Sequence, residues 1–397
     1  MAPMAPMAPA SPMASKGPLT GLRVIEFEAI GPGPFCGMML ADMGADVLLI
    51  DRPAASGLGV VHERRYDVMR RGRRSVTLDL KSKGGVAAAL LLAEKADALI
   101  EGFRPGVMER LGLGPGVLLA RNPRLVYGRM TGWGQQGPLA HRAGHDINYI
   151  ALSGALNAIG RAGGAPVPPL NLVGDFGGGG MLLAFGIACG IIEARNSGRG
   201  QVVDAAMVDG ASLLTTMYAG LLAAGQWQAQ RGANVLDSGA PWYDSYATKD
   251  GKHVAIGAIE PKFYAELIQR LGLAAASLPA QDDRPCWPQL RAHFAAAFLQ
   301  KTRDEWCAVF EGSDACFAPV LNFAEARAHA HAAARDAYVN LGGVDQPAPA
   351  PRFGRTPGAA NSPPPERGAG GHAVLRDWGF SAADIDRLAA LGLGFAR

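Results

Sequence analysis

The stretch that decides the fold is RVIEFEAIGPGPFCGMMLADMGADVLLIDR, residues 23–52. A short strand is predicted at 24–27, followed by a loop of glycine and proline and then a helix at 35–43 that Gly44 ends. A second, apolar strand is predicted at 46–50. Strand, helix and strand at this spacing make a βαβ unit, which implies a parallel sheet with a right-handed crossover.

The same alternation continues downstream and predicts a doubly wound, Rossmann-like α/β domain over residues 18–225. The further strands are predicted at 75–80, 98–101, 125–130 and 200–204. Ligands of such sheets bind beyond the carboxyl ends of the strands, so Arg52, Lys81, Arg104 and the loop leading to His145 are expected to cluster there. The first turn, Gly31-Pro32-Gly33-Pro34, lacks the third glycine of a dinucleotide fingerprint, so NAD is not favoured.

The character of the sequence changes after residue 225. A β-hairpin around Asp250-Gly251 and a helix at 263–272 predict a smaller α+β domain over 226–335. Residues 336–397 are interpreted as a return segment that packs on the large domain, with Ser381 capping its last helix. Residues 1–17, an Ala/Pro/Met repeat, are interpreted as a disordered tail.

Composition excludes several classes of protein. The 397 residues are 49% hydrophobic and carry a net charge of only +3, so no global field favours nucleic acid or a membrane surface. The longest apolar run, 181–192, is too short to span a bilayer. The five cysteines form no CxxC pair and the eight histidines are dispersed, which argues against metal sites and disulfides and favours a cytoplasmic location.

A run of arginines precedes the third predicted strand and has three interpretations. Its members are Arg64, Arg65, Arg70, Arg71, Arg73 and Arg74. Charge runs are usually solvated loops. Guanidinium groups also bind phosphates bidentately, which suits a phosphorylated ligand. Contact with nucleic acid is the third interpretation, but no regular basic face or aromatic interleaving supports it.

Three titratable residues are candidates for chemistry. His145 carries an imidazole, which can give or take a proton, although a lone histidine is more often structural. Asp175 precedes a run of four glycines, 177–180, and a helix predicted at 181–194; it is either a plain helix cap or a base whose pKa must be raised. Glu260 follows a strand and is either an orienting partner for an imidazole or a surface glutamate. No nucleophile elbow is present.

An ordered series of motifs resembles the α-methylacyl-CoA racemases of the family III CoA-transferase superfamily, from about Gly17 to the last helix. The motifs are GPGPF (31–35), LAD (40–42), DRP (51–53), LDLK (78–81), FRPGV (103–107), TGWGQ (131–135), GHDINY (144–149), PLNLVGDFGGG (169–179), GQVVD (200–204) and GAIEP (257–261). The elements HDINY and GAIEP point to the racemase branch of the superfamily.

This resemblance implies an isomerase that epimerises 2-methylacyl-CoA thioesters through an enolate. His145 and Asp175 match the two acid/base residues, Glu260 the carboxylate that supports the histidine, and Asn171 a neighbouring polar group. Positions lining the CoA site are matched by Arg52, Leu78, Asp79, Leu80, Lys81, Arg104, Arg110, Gly144, Asp146 and Tyr149. CoA belongs to the substrate, and no metal or redox cofactor is implied.

The resemblance also implies an interlocked homodimer, in which Glu260 of one subunit reaches His145 of the other. The nearest alternative is a CoA transferase of the same superfamily, with Asp175 as a covalent nucleophile. The pair His145 and Glu260 favours the racemase, because an aspartyl nucleophile does not require it. An acyl-CoA thioester is the expected partner, without nucleic acid or membrane.

Overall fold

The computed structural model describes residues 17–57, 59–60 and 62–395. Its contacts divide the chain into a large unit, made of residues up to Tyr149, Asn171–Leu214 and those from Ala334 onward, and a small unit made of Ile150–Leu170 and Thr215–Ala333. The predicted tail lies outside the described residues except for Gly17. Gly17 is buried, and the amide of neighbouring Leu19 donates to the Met43 carbonyl (2.9 Å).

Strands and helices follow the chain in this order. The strands are β1 (Arg23–Phe27), β2 (Asp46–Asp51), β3 (Arg73–Thr77), β4 (Ala98–Glu101), β5 (Val126–Thr131), β6 (Val202–Ala206), β7 (Tyr243–Ala247), β8 (His253–Gly257), β9 (Phe317–Pro319), β10 (Tyr338–Leu341) and β11 (Val344–Pro347). The α-helices are α1 (Pro32–Asp42), α2 (Lys83–Ala93), α3 (Val107–Arg110), α4 (Pro115–Arg121), α5 (Asp146–Leu152), α6 (Ala155–Ala158), α7 (Leu182–Ser197), α8 (Met207–Leu214), α9 (Thr216–Ala223), α10 (Pro261–Arg270), α11 (Trp287–Phe298), α12 (Arg303–Phe310), α13 (Phe323–Ala328), α14 (Ala330–Ala334), α15 (Gly371–Asp377) and α16 (Ala382–Ala390).

The centre of the large unit is a six-stranded sheet in the order β3-β2-β1-β4-β5-β6. Every neighbouring pair is parallel, which confirms the predicted doubly wound α/β architecture. The strand order reverses between β1 and β4, so the crevice beyond the ends of these two strands is the expected ligand position.

Strand residues alternate between two hydrophobic cores, one on each face of the sheet. Ile25, Leu48 and Leu99 face the core that includes α2, α15 and α16. Val24 and Val47 face the opposite core, formed with α1 and α7. This two-residue period is the pattern that the apolar strands carry in the sequence. The last helix begins at the predicted capping box, in which Ser381 and Asp384 exchange hydrogen bonds.

The small unit contains the antiparallel sheet β7-β8-β9 over an aromatic core. The prediction assigned 150–170 and 215–225 to the large domain, but both segments belong to the small unit. Polar contacts explain the placement of the first segment. Arg231 donates to the Asn157 carbonyl (2.6 Å), and Arg161 donates to Ser245 Oγ (2.9 Å) and to Asp244. The helices α8 and α9 follow β6 in the sequence and lie in different units.

The arginine run is structural, and none of its three interpretations describes it well. Among its members only Arg65 is strongly exposed, paired with Glu63. The others pair with carboxylates of the large unit: Arg64 with Asp51, Arg70 with Asp67, Arg71 with Asp42, Arg73 with Glu26, and Arg74 with Asp46 and Asp377. These guanidinium groups are therefore engaged in ion pairs and do not line a phosphate site. The run joins the first βαβ unit to the C-terminal return segment.

Replacing Arg71 by Ala should destabilise the large unit by about 3–5 kcal/mol. Arg71 donates two hydrogen bonds to Asp42 (3.0 and 2.6 Å) and others to Gln346 (2.9 Å) and the Pro347 carbonyl (2.8 Å). Both charged side chains are almost fully buried, at 3% and 4% exposure, so the substitution leaves Asp42 buried and unpaired. Chemical denaturation measures the loss.

The matched control is Arg65→Ala, since Arg65 and Glu63 are 62% and 69% exposed. An exposed ion pair contributes at most about 1 kcal/mol, so this variant should unfold almost as the wild type does. Equal destabilisation by the two substitutions would contradict a structural role for the buried arginine.

Candidate active site

Asp175 lies in a π-helical segment, Leu172–Met181, that continues without interruption into α7. The prediction began the helix at residue 181, after the glycines 177–180, and this is wrong because the helix already begins at Leu172. Residue 171 precedes the first helical residue, so Asp175 stands one turn inside the helix and does not cap it. Wide helical turns of this kind are rare in proteins, and those that occur are often found at functional sites.

The glycines allow neighbouring helices to approach this segment closely, which is why the chain stays helical through them. An added Cβ on Gly210 of α8 would overlap the Gly178 carbonyl oxygen. A Cβ on Gly180 would come within 2.8 Å of the Phe35 ring and of the Pro32 carbonyl oxygen, both on α1. Helix packing therefore accounts for Gly178 and Gly180.

The continuous helix Leu172–Ser197 is 26 residues long, and an 18-residue window within it has a mean hydropathy of 1.6, so by length and composition it is able to cross a membrane. The apolar run 181–192 is too short by itself, but the π-helical segment before it lengthens the helix. Buried core helices of globular proteins have the same composition. Here Leu183 and Ile187 are fully buried against the parallel sheet.

The carboxylate of Asp175 is half-buried beside the turn between β1 and α1. Asn171 Nδ2 donates to Asp175 Oδ2 (3.0 Å), and the backbone amide of Asp175 donates to Asp146 Oδ1 (2.7 Å). A Cβ on Gly31 would lie 3.3 Å from Asp175 Oδ2, so the carboxylate faces the crevice where the strand order reverses. Burial raises the pKa of Asp175, and the charge of Asp146 adds to the rise, while Asn171 and His145 oppose it.

His145 immediately precedes α5 and is held by the backbone of that helix. Its amide donates to Asn148 Oδ1 (3.0 Å), and its carbonyl accepts from the Asn148 amide (2.8 Å). The imidazole is exposed, and it is close enough to Asp175 to favour the ionised carboxylate. The fold therefore brings His145 and Asp175 together at the C-terminal edge of the sheet.

Tyr149 is a buried aromatic residue next to Asp175. It is 5% exposed and makes an edge-to-face contact with Trp133 at 4.7 Å between ring centres. Gly132 and Gly144 leave the space for this ring, because a Cβ on either would collide with it. Burial, followed by the charge of Asp175, raises the pKa of Tyr149 to about 12, while nearby Arg104 opposes the rise. Tyr149 is thus a neutral neighbour of Asp175 at physiological pH.

Most matched CoA-site positions follow the carboxyl ends of β2, β3 and β4. The side chains of Arg52, Asp79, Lys81, Arg104 and Arg110 are exposed. Leu80 packs in part on the core, and Leu78 is buried in it at 1% exposure. The side chain of Leu78 therefore does not face the crevice, and its backbone amide donates to the Asp51 carbonyl (2.9 Å).

Sequence reasoning missed two residues that fix the peptide of Arg52. Its amide donates to Glu28 Oε2 (2.8 Å), and its carbonyl accepts from Arg367 (2.9 Å). Arg367 also donates to both oxygens of Glu28 (3.0 and 2.7 Å). The position of Glu28 directly after β1 was a usable signal. Nothing local marks Arg367, which lies in the return segment.

Glu260 lies in the small unit, directly before Pro261 at the start of α10, and its side chain is exposed. Over the described residues, no group of three or more His, Cys, Asp or Glu side chains is arranged to hold a metal ion.

Residues 19–371 match the family described as CoA-transferase family III. The chain belongs to CoA-transferase family III. Among family members it is 46% identical to the α-methylacyl-CoA racemase of Mus musculus over 93% of this chain and 96% of the relative. The human α-methylacyl-CoA racemase is 45% identical over the same shares. A crystal structure of a CaiB/BaiF family protein from Brucella suis superposes with a TM-score of 0.78 at 25% identity, covering 91% of this chain and all (100%) of that one.

These relatives confirm the resemblance and the assignment of this family member to the isomerases. They support racemisation of a CoA thioester as its activity.

Proposed function

We propose that this family III enzyme interconverts (2R)- and (2S)-2-methylacyl-CoA thioesters by 1,1-proton transfer. The observation that carries the proposal is the convergence of His145 and Asp175 beside the reversal of strand order, joined through Asp146. Racemisation at one carbon needs a proton removed from one face and another delivered to the opposite face. Two titratable groups of different chemistry at one crevice meet that need.

The properties of the two groups suit the reaction. A thioester carbonyl makes the α-proton more acidic and stabilises the resulting enolate. Burial raises the pKa of Asp175, which makes its carboxylate a stronger base than an exposed aspartate. An imidazole can both accept and donate a proton in a reaction. Either group therefore serves as base in one direction and as acid in the other.

Backbone amides at the start of α5 are the proposed stabilisers of the enolate oxygen. The first amides of a helix, here those of Asp146 and Ile147, have no partner within it and point outward along a favourable dipole. Donors fixed in this way stabilise developing negative charge without reorganisation. The chemistry draws on the thioester and on these protein groups, so we propose that it needs no metal or redox cofactor.

The proposed CoA site lies on the same edge of the sheet. Arg52, Lys81, Arg104 and Arg110 supply exposed cations for the phosphates, and the backbone at Leu78 to Leu80 supplies hydrogen-bonding groups. Gly144 and Tyr149 line the approach to the acid/base pair.

We further propose that the enzyme is an interlocked homodimer in which Glu260 of the partner subunit orients His145. Exposed apolar side chains on α7 support an intersubunit surface, since Phe185 and Ile192 are 67% and 63% exposed in the single chain. An exposed carboxylate at the start of α10 is available to a second chain. A carboxylate on one ring nitrogen fixes the tautomer that the other nitrogen presents to the substrate.

The deciding experiment follows a single-epimer 2-methylacyl-CoA in D2O. We expect incorporation of α-deuterium together with loss of stereochemical purity. The rival activity is a CoA transfer with Asp175 as nucleophile, which would form an acyl anhydride and move CoA to an added carboxylic acid. Transfer without α-exchange would refute the racemase proposal and establish the transferase.

Co-expression of Asp175→Asn and Glu260→Gln chains tests the proposed dimer. Each variant alone should be nearly inactive. In a mixed dimer with shared sites, one site combines both intact residues, so statistical pairing restores about a quarter of wild-type activity. If each site used Asp175 and Glu260 of the same chain, co-expression would restore nothing. Co-expressed pairs of each variant with itself provide the baseline.

A further inference from the structure

Asp146 has an environment unlike that of a residue binding CoA. Its side chain is only 6% exposed, although it is the first residue of α5 and follows the exposed His145. Oδ1 accepts the backbone amide of Asp175 (2.7 Å). Oδ2 is buried and has no hydrogen-bond partner among the described residues. A buried carboxylate with half of its acceptor capacity unused is costly and calls for a functional reason.

We propose that Asp146 is a positioning residue that fixes Asp175 relative to His145 and strengthens Asp175 as a base. This inference rests on the proposed function, in which the two residues exchange protons with one carbon. It replaces the assignment of Asp146 to the CoA site, because a side chain buried against Asp175 is not available to a phosphate or to pantetheine.

The positioning follows from helix geometry. In a π-helix the first five amides have no partner within the helix, and Asp175 is the fourth residue of Leu172–Met181. Asp146 satisfies that amide from another element. Because Asp146 is covalently adjacent to His145, a single hydrogen bond ties the two proton-transfer residues together. Acid/base groups on opposite faces of one carbon must keep a fixed separation, and small displacements are costly in rate.

The second effect is electrostatic. The charged or titratable groups acting on the pKa of Asp175 are Asp146 and His145, while Asp175 and Arg104 act on the pKa of Tyr149. Burial is the largest cause of the raised pKa of Asp175, and the negative charge of Asp146 adds to it. Removing that charge should therefore lower the pKa of Asp175. Its carboxylate would stay ionised to lower pH but would be a weaker base.

Asp146→Asn separates charge from geometry, since the amide oxygen still accepts the Asp175 amide. We expect the acid limb of the kcat/KM profile to move to lower pH, because the limb marks the loss of ionised Asp175. Asp146→Ala removes both effects and should lower kcat about 10-fold or more with little change in KM. The Asp146→Asn variant should keep much of the kcat that Asp146→Ala loses. The control Asp209→Asn removes an exposed charge of the same unit on α8 and should leave the profile unchanged.

An unmoved acid limb in Asp146→Asn would overturn the electrostatic part of the proposal. An Asp146→Ala variant that changes only KM would show that Asp146 binds CoA, and it would overturn the whole positioning proposal. A readout independent of turnover is the infrared carboxyl signal of Asp175, obtained as the difference between protein with Asp175 and the Asp175→Asn variant. This signal is followed against pH twice, once with Asp146 intact and once in the Asp146→Asn background. It should show a lower pKa for Asp175 in the absence of Asp146. If the wild type failed to racemise, the proposed function would fall while this titration still decided the role of Asp146.

Discussion

Asp175→Asn should reduce racemisation about 1,000-fold or more while sparing α-proton exchange in one of the two epimers. Asparagine has nearly the shape of aspartate and can keep contact with Asn171, but it cannot accept a proton. The epimer whose α-proton faces His145 can still lose it and regain deuterium on the same face. The other epimer, whose α-proton faces residue 175, cannot. Separate incubation of the two epimers in D2O, followed by mass spectrometry and chiral analysis, measures both quantities.

This asymmetry distinguishes two bases from one. If Asp175 were instead a covalent nucleophile, the asparagine variant would lose activity without retaining selective exchange in either epimer. Near-wild-type racemisation would show that Asp175 is only a helical residue with a half-buried carboxylate. Asp209→Asn again serves as control, because it removes an exposed carboxylate of the same unit that is not among the groups acting on the pKa of Asp175.

His145→Gln should produce the complementary defect, with racemisation reduced by a similar factor and exchange kept in the opposite epimer only. Glutamine can hydrogen-bond but does not titrate. The backbone of residue 145 is held through Asn148, so the substitution should leave the start of α5 in place. The measurement is the same exchange experiment, and the epimers that survive in the two variants should be opposite ones.

His141→Gln is the matched control, since His141 is an exposed histidine in the same loop and four residues earlier in the sequence. It should racemise as the wild type does. Selectivity for the same epimer in the Asp175 and His145 variants would contradict placement of the two residues on opposite faces of the substrate.

Local patterns explain which parts of the fold were predictable. The strands β1, β2 and β4 are contiguous apolar segments, and the capping box at Ser381 is complete within four residues. Such signals need no knowledge of distant residues. The start of the helix at Leu172 was not predictable from the glycine run, since glycines favour loops in a sequence. The packing of Gly178 on Gly210, which keeps this segment close to α8, joins residues that are distant in the chain.

Long-range electrostatics lay beyond the sequence. Arg71 and Arg65 stand in the same basic run, yet Arg71 is buried with Asp42 and Arg65 is exposed with Glu63. Sequence spacing does not reveal which carboxylates the βαβ unit and the return segment bring near each guanidinium. Arg367, whose guanidinium contacts the peptide of Arg52, shows the same limitation.

By itself, the sequence determined the parallel α/β sheet, because the sheet depends on local periodicity. It also determined the class of enzyme and the two candidate acid/base residues, because short motifs carry the resemblance to a known family. Only the tertiary structure decided that Asp175 stands within a π-helical segment and that the amide of this residue is held by buried Asp146. The physical reason is that burial and the pairing of charges depend on which chain segments meet at the edge of the sheet. Those encounters set the basicity of Asp175, and with it the chemistry proposed for the crevice.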